Sequence, residues 1–230
     1  MNEKLQKVLS YCVLPLLIVV LILACVNGIQ KPVKFNEVKD ARSEVAIQRL
    51  KDIRSLQVAY KSVNGKFAST IDSLILFYNT GEMEIILQVG SKDDSLAVVN
   101  TERLKKANKK ITQEDLYNLY LKGENVIASI TQKVNVKDTL FKSRTNFVVD
   151  SLKYIPFSGG QEVEMESEVR KVSGVDVPLF EARMPYKALL KGLDNQLRIN
   201  LDDQRKQSNQ YEGLMVGSIT APNNNAGNWE

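Results

Sequence analysis

Residues 8–26 read VLSYCVLPLLIVVLILACV, and this apolar run is the strongest signal in the sequence. It has no charged residue over about nineteen positions, which at about 1.5 Å per residue nearly span a hydrocarbon core of about 30 Å. A helix buried in a globular domain is rarely apolar on every face. Pro15 is tolerated in a spanning helix, and Tyr11 is an aromatic residue typical of the membrane interface. The run predicts a transmembrane anchor over residues 8–28 after a short N-terminal tail, residues 1–7.

Two other interpretations of this run stay open. A cleaved secretory signal has a shorter apolar region, of about seven to fifteen residues, and ends at a small-x-small site that Ala24-Cys25-Val26 matches poorly. The sequence Ile22-Leu23-Ala24-Cys25 resembles the lipobox of bacterial lipoproteins, which implies cleavage and lipidation at Cys25. An anchor and a lipoprotein would both hold the polar part of the chain on a membrane.

The charges that flank the run give a direction for the anchor. The tail carries Lys4 and Lys7 against Glu3, whereas the other flank mixes lysines with Glu37 and Asp40. A short basic tail before the first apolar run is the usual arrangement of a signal-anchor. We therefore expect a single-pass protein of the cell membrane whose C-terminal domain is extracytoplasmic.

The composition excludes several classes of protein. The 230 residues are 43% hydrophobic and 25% charged, which is typical of a folded globular chain. No histidine is present, so the commonest general base and the commonest zinc ligand are missing. The two cysteines, Cys12 and Cys25, both lie in the apolar run. We therefore assign no catalytic, cofactor-binding or metal-binding residue, and we expect neither a cofactor nor an enzyme.

The charge of the chain argues against a nucleic-acid partner. The formal net charge is only +4, from 31 basic and 27 acidic residues. The densest basic run, residues 103–110, reads RLKKANKK and has no aromatic residue to stack on bases. It is typical of a solvated helix face.

Residues 29–82 are predicted to form a linker followed by amphipathic helices. Ile29 to Phe35 includes Lys31-Pro32 and is the predicted linker. From Asn36, apolar residues recur at helical spacing, and Asn64-Gly65 is a stop signal. The apolar positions are Val38, Ala41, Val45, Ala46, Leu50, Ile53, Leu56, Ala59 and Tyr60. A second, shorter helix is predicted from Ile71 to about Tyr78.

Residues 83–220 are predicted to form a mainly β extracytoplasmic domain. The strand candidates are Met83–Val89, Leu96–Val99, Val126–Val136, Phe147–Ile155, Gln161–Val172, Val177–Arg183 and Leu214–Thr220, and Pro178 and Pro185 favour an edge position for the sixth. Short helices are predicted at Thr101–Asn108, Thr112–Leu121 and Pro185–Leu190; Thr112-x-x-Asp115 is close to a capping box, and Lys92-Asp93-Asp94-Ser95 is predicted to be a turn. The tail, residues 221–230, is predicted to be flexible. The fold class is therefore α+β: an N-terminal transmembrane helix, then a long amphipathic helix packed on an antiparallel β-sheet.

The segment Lys39–Leu74 reads KDARSEVAIQRLKDIRSLQVAYKSVNGKFASTIDSL and resembles the region after the membrane helix in type IV pilins and type II secretion pseudopilins. The matching residues are Ala41, Arg42, Ala46, Leu50, Ile53, Gln57, Ala59, Tyr60, Asn64, Gly65, Lys66, Phe67 and Leu74. The prepilin-peptidase motif of that family is missing, because the apolar run begins Val8-Leu9-Ser10. The resemblance implies a membrane helix, an amphipathic extension and a small antiparallel sheet.

These observations favour a membrane-anchored envelope protein that is a non-enzymatic assembly or scaffold component, pilin-like in its N-terminal third. Its expected partners are the membrane and other envelope proteins, reached through the amphipathic helix or the sheet. The alternative is a lipoprotein or an anchored binding module for an envelope ligand or polymer.

Two groups of acidic residues have a functional and a structural interpretation. Glu162, Glu164, Glu166 and Glu168 alternate with other residues, so a strand would place all four on one face, where calcium or a neighbouring cation would suit them. We favour the wet face of an amphipathic strand. The group of Asp194, Asp202 and Asp203 is acidic enough for acid–base work, but its polar surroundings favour a surface helix or loop.

Two further positions are singled out. Ser158-Gly159-Gly160 is a turn signal, and a serine nucleophile there would lack a histidine partner. Trp229, the only tryptophan, either packs into the domain or docks a partner.

Overall fold

The computed structural model describes residues 13–230, and residues 1–12, including the start of the apolar run, lie outside the described residues. Its helices are α1 (Leu14–Asn64), α2 (Ile71–Thr80), α3 (Ser95–Ala107), α4 (Gln113–Leu121), α5 (Val136–Thr139), α6 (Tyr186–Leu189) and α7 (Asn195–Gln207). The strands are β1 (Glu82–Val89), β2 (Ala128–Asn135), β3 (Glu164–Val172), β4 (Val175–Pro185) and β5 (Gly213–Gly217). All strand pairs are antiparallel, so the predicted α+β class is confirmed.

Helix α1 is continuous over 51 residues and contains Pro32. The predicted linker at Ile29–Phe35 is therefore wrong: Pro32 removes one hydrogen bond from α1 but does not end the helix. The helix ends at the predicted stop, where Gly65 adopts a φ of 71° that suits a residue without a Cβ. The chain forms two compact units, and the division between them falls within α1. The helix belongs to the first unit up to Ser55 and to the second unit from Leu56 onward.

Unit 1 contains the described residues up to Ser55 together with Asp150–Glu230. Its sheet has the order β3-β4-β5. Its core includes Ala46, Leu50 and Ile53 from α1, all fully buried, and residues from β4, α6 and β5. The core residues from these later elements are Phe180, Ala182, Met184, Leu189, Leu190, Leu214 and Val216.

Unit 2 contains Leu56–Val149. Strands β1 and β2 form a two-stranded ribbon, with Glu82 opposite Asn135 at one end and Val89 opposite Ala128 at the other. Helices α3 and α4 lie between these strands in the chain. The Gln57 amide is completely buried and bonds both backbone groups of Ala68, donating to the carbonyl at 2.9 Å and accepting from the N–H at 2.9 Å. These two hydrogen bonds hold the loop that follows α1 against the helix.

Several predicted strands and helices are confirmed, and others differ. Each of five strand candidates overlaps a strand of the structure, with ends that differ by a few residues: Met83–Val89, Val126–Val136, Gln161–Val172, Val177–Arg183 and Leu214–Thr220. The capping box at Thr112 is present, because the Thr112 hydroxyl accepts from the Asp115 N–H at 3.1 Å and the carboxylate accepts from the Thr112 N–H at 2.9 Å.

Two strand predictions are wrong. The stretch Leu96–Val99 belongs to α3, because Asp94 caps that helix by accepting from the N–H groups of Leu96 and Ala97. Residues Phe147–Ile155 contain a short 3₁₀ turn, Val149–Lys153, instead of a strand.

The position of β4 also differs from the prediction. It is the central strand, but β5 pairs only with its residues Glu181–Pro185. Pro178 lies opposite Val169 of β3 and beyond the reach of β5, so its missing N–H leaves no ladder bond unmade. Pro178 therefore lies at a position where β4 has a neighbouring strand on one side only, although β4 is the central strand of the sheet.

The C-terminal tail differs from the flexible segment predicted over residues 221–230. Asn228 donates its N–H to the Met215 carbonyl at 3.0 Å, and its side chain bonds the backbone of Gly213 and Met215. Gly217 donates to the Ala226 carbonyl at 3.0 Å. Asparagine amides supply donors and acceptors that extend the edge of β5, so a polar tail docks on the sheet.

Candidate functional site

The N-terminal part of α1 is apolar and exposed on every face. The exposed fractions of Leu16 and Leu21 are 68% and 55%. All other described apolar side chains from Val13 to Val20 are also exposed, and so are Val26, Ile29 and Val33. Cys25, exposed on the same part of the helix, forms no disulfide. We name residues 13–29 the apolar segment of α1.

Measured against the length and hydropathy of a membrane span, none of the helices within residues 13–230 qualifies. Residues 8–12 of the apolar run lie outside that range.

The later part of α1 is fixed to unit 1 by a row of arginines. Arg42 donates to the carbonyls of Leu189 and Lys191 at 3.0 and 2.9 Å, and Arg49 donates to the Tyr154 carbonyl. Burial lowers the pKa of the Arg49 guanidinium, an effect that the nearby Asp52 opposes. The inward face of the helix therefore combines apolar residues with cations that satisfy backbone carbonyls. Sequence periodicity missed this row because arginine is normally assigned to the wet face.

Part of the predicted apolar stripe of α1 faces outward. Val38 and Val45 are 39% and 43% exposed, and Ala41 is exposed as well. These three residues follow the spacing i, i+3 and i+7, which places them on one side of the helix. We name Val38, Ala41 and Val45 the outer stripe. The prediction that they belong to the buried stripe is wrong, because arginines occupy part of the inward face.

Three of the predicted glutamates line one face of β3, and two arginines neutralise them. Arg183 of β4 lies 3.5 Å from Glu164, 2.6 Å from Glu166 and 3.3 Å from the buried Glu181. Glu168 pairs with Arg170 at 3.1 Å. The prediction of a wet strand face opposite a cation is confirmed. Burial, reinforced by Glu164, raises the pKa of the neighbouring Tyr211 hydroxyl.

The fourth glutamate lies before the strand. The backbone of Glu162 forms an isolated antiparallel β-bridge with Tyr154, and its side chain forms an ion pair of 3.5 Å with Lys153. In the part of the chain from residue 13 onward, no set of three or more carboxylate or cysteine side chains is arranged to hold a metal ion.

The aspartates do not form a carboxylate pair. Asp194 caps α7 by accepting from the N–H groups of Gln196 and Leu197 at 2.9 and 3.1 Å. Asp202 pairs with Arg198 one turn earlier, and burial raises the pKa of its carboxyl group. Asp203 is exposed on another side of the same helix. The predicted surface helix over these residues is confirmed.

Ser158 and Trp229 both make contacts within the fold. Ser158 is buried, donates to the Ile155 carbonyl at 2.7 Å and accepts from the Gln161 N–H at 2.9 Å, as a turn requires. The indole of Trp229 packs against Gly227, where an added Cβ would collide with it. The indole N–H is buried and has no hydrogen-bond partner among the described residues.

The chain end returns to α1. Arg54 donates to the Glu230 carboxylate at 2.7 Å and to the Asn225 carbonyl at 3.3 Å. This hydrogen bond, together with the positive charge of Arg54, holds the pKa of the exposed Glu230 below its usual value. The tail is therefore attached both to β5 and to the helix within unit 1.

Comparisons with protein-family models, with curated proteins and with solved structures found no match to this chain. The geometry of its own residues is therefore the basis for a function. Two features stand out in that geometry, the apolar segment and the outer stripe of α1.

Proposed function

We propose that this chain is a single-pass, membrane-anchored envelope protein that acts as a non-enzymatic assembly or scaffold component. The observation that carries the proposal is one continuous helix whose first part is apolar and exposed on every face and whose later part packs into two folded units. In this proposal the first part lies in the bilayer, and the folded units are extracytoplasmic.

The exposed side chains support a membrane rather than water around the apolar segment. Fully burying one large aliphatic side chain stabilises a protein by about 1.5–3 kcal/mol. Transfer of the consecutive exposed residues from Val13 to Leu21 into an apolar phase is therefore favourable by on the order of 10 kcal/mol. The uncharged run continues from Val8 to Val26 in the sequence, which is close to the length of a span.

The outer stripe supports contact with other envelope proteins. Val38, Ala41 and Val45 remain exposed although the opposite side of α1 is buried in unit 1. The resemblance of Lys39–Leu74 to pilins and pseudopilins favours the same interpretation, since their helices also extend from a membrane segment.

Site-specific crosslinking tests the assembly role. In a chain with Cys12→Ser and Cys25→Ser, a single Val45→Cys change places a thiol on the outer stripe. We expect a bifunctional thiol–amine reagent, applied to intact membranes, to join Val45→Cys to a discrete second protein or a second copy. The matched control is Leu76→Cys, which is 64% exposed on α2. Equal products from both variants, or none from Val45→Cys, would contradict the assembly role.

A further inference from the structure

A cavity of about 580 Å³ lies in unit 2 beside α3 and the end of the β1–β2 ribbon. The side chains that carry the argument are Gln88, Lys92, Glu102, Lys105, Gln113 and Ser129. Gln88 of β1 and Ser129 of β2 are directly opposite each other in the ribbon, so their side chains lie on the same face. The two lysines bring two positive charges to the cavity, against the single carboxylate of Glu102.

The polar groups of the cavity are arranged to donate hydrogen bonds. The Gln113 side-chain oxygen accepts from the backbone N–H of Ser129 at 2.9 Å, which leaves the amide N–H₂ of Gln113 as the group available to a ligand. Lysine ammonium groups only donate. A ligand that accepts hydrogen bonds and carries negative charge therefore suits this lining.

The positive charge continues beyond the cavity along α3 and the turn that follows it. Arg103, Lys105, Lys106, Lys109 and Lys110 are all exposed. Lys106 alone pairs with a carboxylate, that of Glu102, at a long 3.9 Å and with both side chains largely exposed. Such a pair contributes little. The other four have no ion pair within the described part of the chain.

The spacing of these cations favours a polymer over a single ion. They follow one another from Arg103 through the last turns of α3, which ends at Ala107, to Lys109 and Lys110 in the turn beyond it. One phosphate ion would neutralise only the charges next to it, whereas a chain with repeated phosphate groups would meet the charges in succession. No aromatic residue occurs among the cavity residues or in residues 103–110, so a stacked base has no platform.

We propose that unit 2 binds an anionic polymer with repeated phosphate groups, which enters the cavity between Lys92 and Lys105 and continues over the C-terminal end of α3 and the turn that follows it. The cavity holds one phosphate group through lysine charges and amide donors. The remaining cations position the following groups of the polymer. This surface, defined by the six cavity residues and residues 103–110, is the basic groove.

Isothermal titration of the full-length chain in mild non-ionic detergent with short-chain inorganic polyphosphate tests the basic groove. We expect binding that weakens as the salt concentration rises, because bound phosphates release counterions. The double variant Lys105→Glu/Lys109→Glu should weaken binding at least tenfold and reduce the slope of log affinity against log salt. Inorganic phosphate alone should bind at least tenfold more weakly than the polymer.

The matched control carries the same change of charge elsewhere in unit 2. Lys133 lies opposite Glu84, toward the far end of the ribbon, and Lys137 follows in α5; both are exposed. The variant Lys133→Glu/Lys137→Glu should change the affinity less than twofold, and circular dichroism should confirm that both variants fold. An equal loss of affinity in the two variants would mean that only the net charge of the chain matters, and it would overturn the proposal.

Two other outcomes would also overturn it. One is the absence of polyphosphate binding at low salt. The other is binding to vesicles of phosphatidylglycerol and phosphatidylcholine, lost in Lys105→Glu/Lys109→Glu, without binding to polyphosphate, because the groove would then contact a membrane surface. Neither outcome depends on the assembly role proposed for α1, since the titration uses no second protein.

Discussion

The two parts of α1 have the same backbone and opposite environments. In the apolar segment, residues 13–29, the large aliphatic side chains that the structure describes are exposed on every side, whereas Leu50 and Ile53 in the later part are completely buried. The later part is amphipathic: apart from the outer stripe its apolar side chains face the core, and apart from arginines such as Arg42 and Arg49 its charged side chains face water. The difference teaches that one continuous helix carries two different side-chain patterns, and that the pattern alone divides it.

The largest expected effect separates the two parts by the same substitution. Leu50→Ala should reduce the free energy of unfolding by about 3 kcal/mol, because it removes a buried side chain and leaves a cavity. Leu17→Ala, in the apolar segment, should change it by less than about 0.5 kcal/mol. Urea denaturation in mild detergent, followed by circular dichroism, measures both. Similar losses in the two variants would break the comparison.

A second prediction concerns the end of the packed part. Gln57→Leu should cost about 2 kcal/mol, because both backbone groups of Ala68 lose their buried partner. Gln30→Leu, an exposed glutamine in the earlier part of α1, should have almost no effect. The same denaturation experiment checks this pair, and an unchanged midpoint for Gln57→Leu would show that the amide pair contributes nothing.

A third prediction tests the junction between the two parts. Pro32 has no N–H to donate to the carbonyl of Gly28, so Pro32→Ala should restore one helical hydrogen bond. We expect slower hydrogen–deuterium exchange over residues 29–36 and a change below about 0.5 kcal/mol in the unfolding free energy of the packed units, since Phe35 is the first buried residue among the described side chains of α1. Faster exchange would mean that proline stabilises the junction.

The smallest expected effect is the pH dependence of the tail. The pKa of Glu230 is lowered in the folded chain from its ordinary 4.5. The carboxylate therefore contributes to docking at pH values above 4.5, and that contribution is lost as the pH falls through the lower folded pKa. An NMR titration of Glu230 should show this lowered midpoint, and Arg54→Gln should bring it back toward 4.5. An unchanged midpoint in Arg54→Gln would contradict the role of Arg54.

Local sequence signals predicted most of the elements. The Asn64-Gly65 stop, the Thr112–Asp115 capping box and the alternation in β3 each act within a few residues, so they can be found without knowing the fold. The strand prediction at Leu96–Val99 was wrong because Asp94 is also a cap, and its signal was interpreted as a turn.

Long-range features could not be predicted in this way. Unit 1 joins α1 to residues more than a hundred positions later, through Arg42 and Arg54, and nothing in the local pattern marks those arginines as inward-facing. The docked tail depends equally on the edge of β5, which accepts the asparagines of the tail. The basic groove was interpreted as a solvated face because the cavity beside α3 is formed by distant strands.

The most direct test of the central claim is alkaline carbonate extraction of membranes that contain the full-length chain, followed by intact mass of the retained protein. The proposed anchor predicts that the chain stays in the membrane pellet with the unmodified mass of all 230 residues. Release into the supernatant would contradict a membrane-embedded α1. A retained chain whose mass corresponds to residues 25–230 plus acyl groups would contradict a spanning helix and identify a lipoprotein instead.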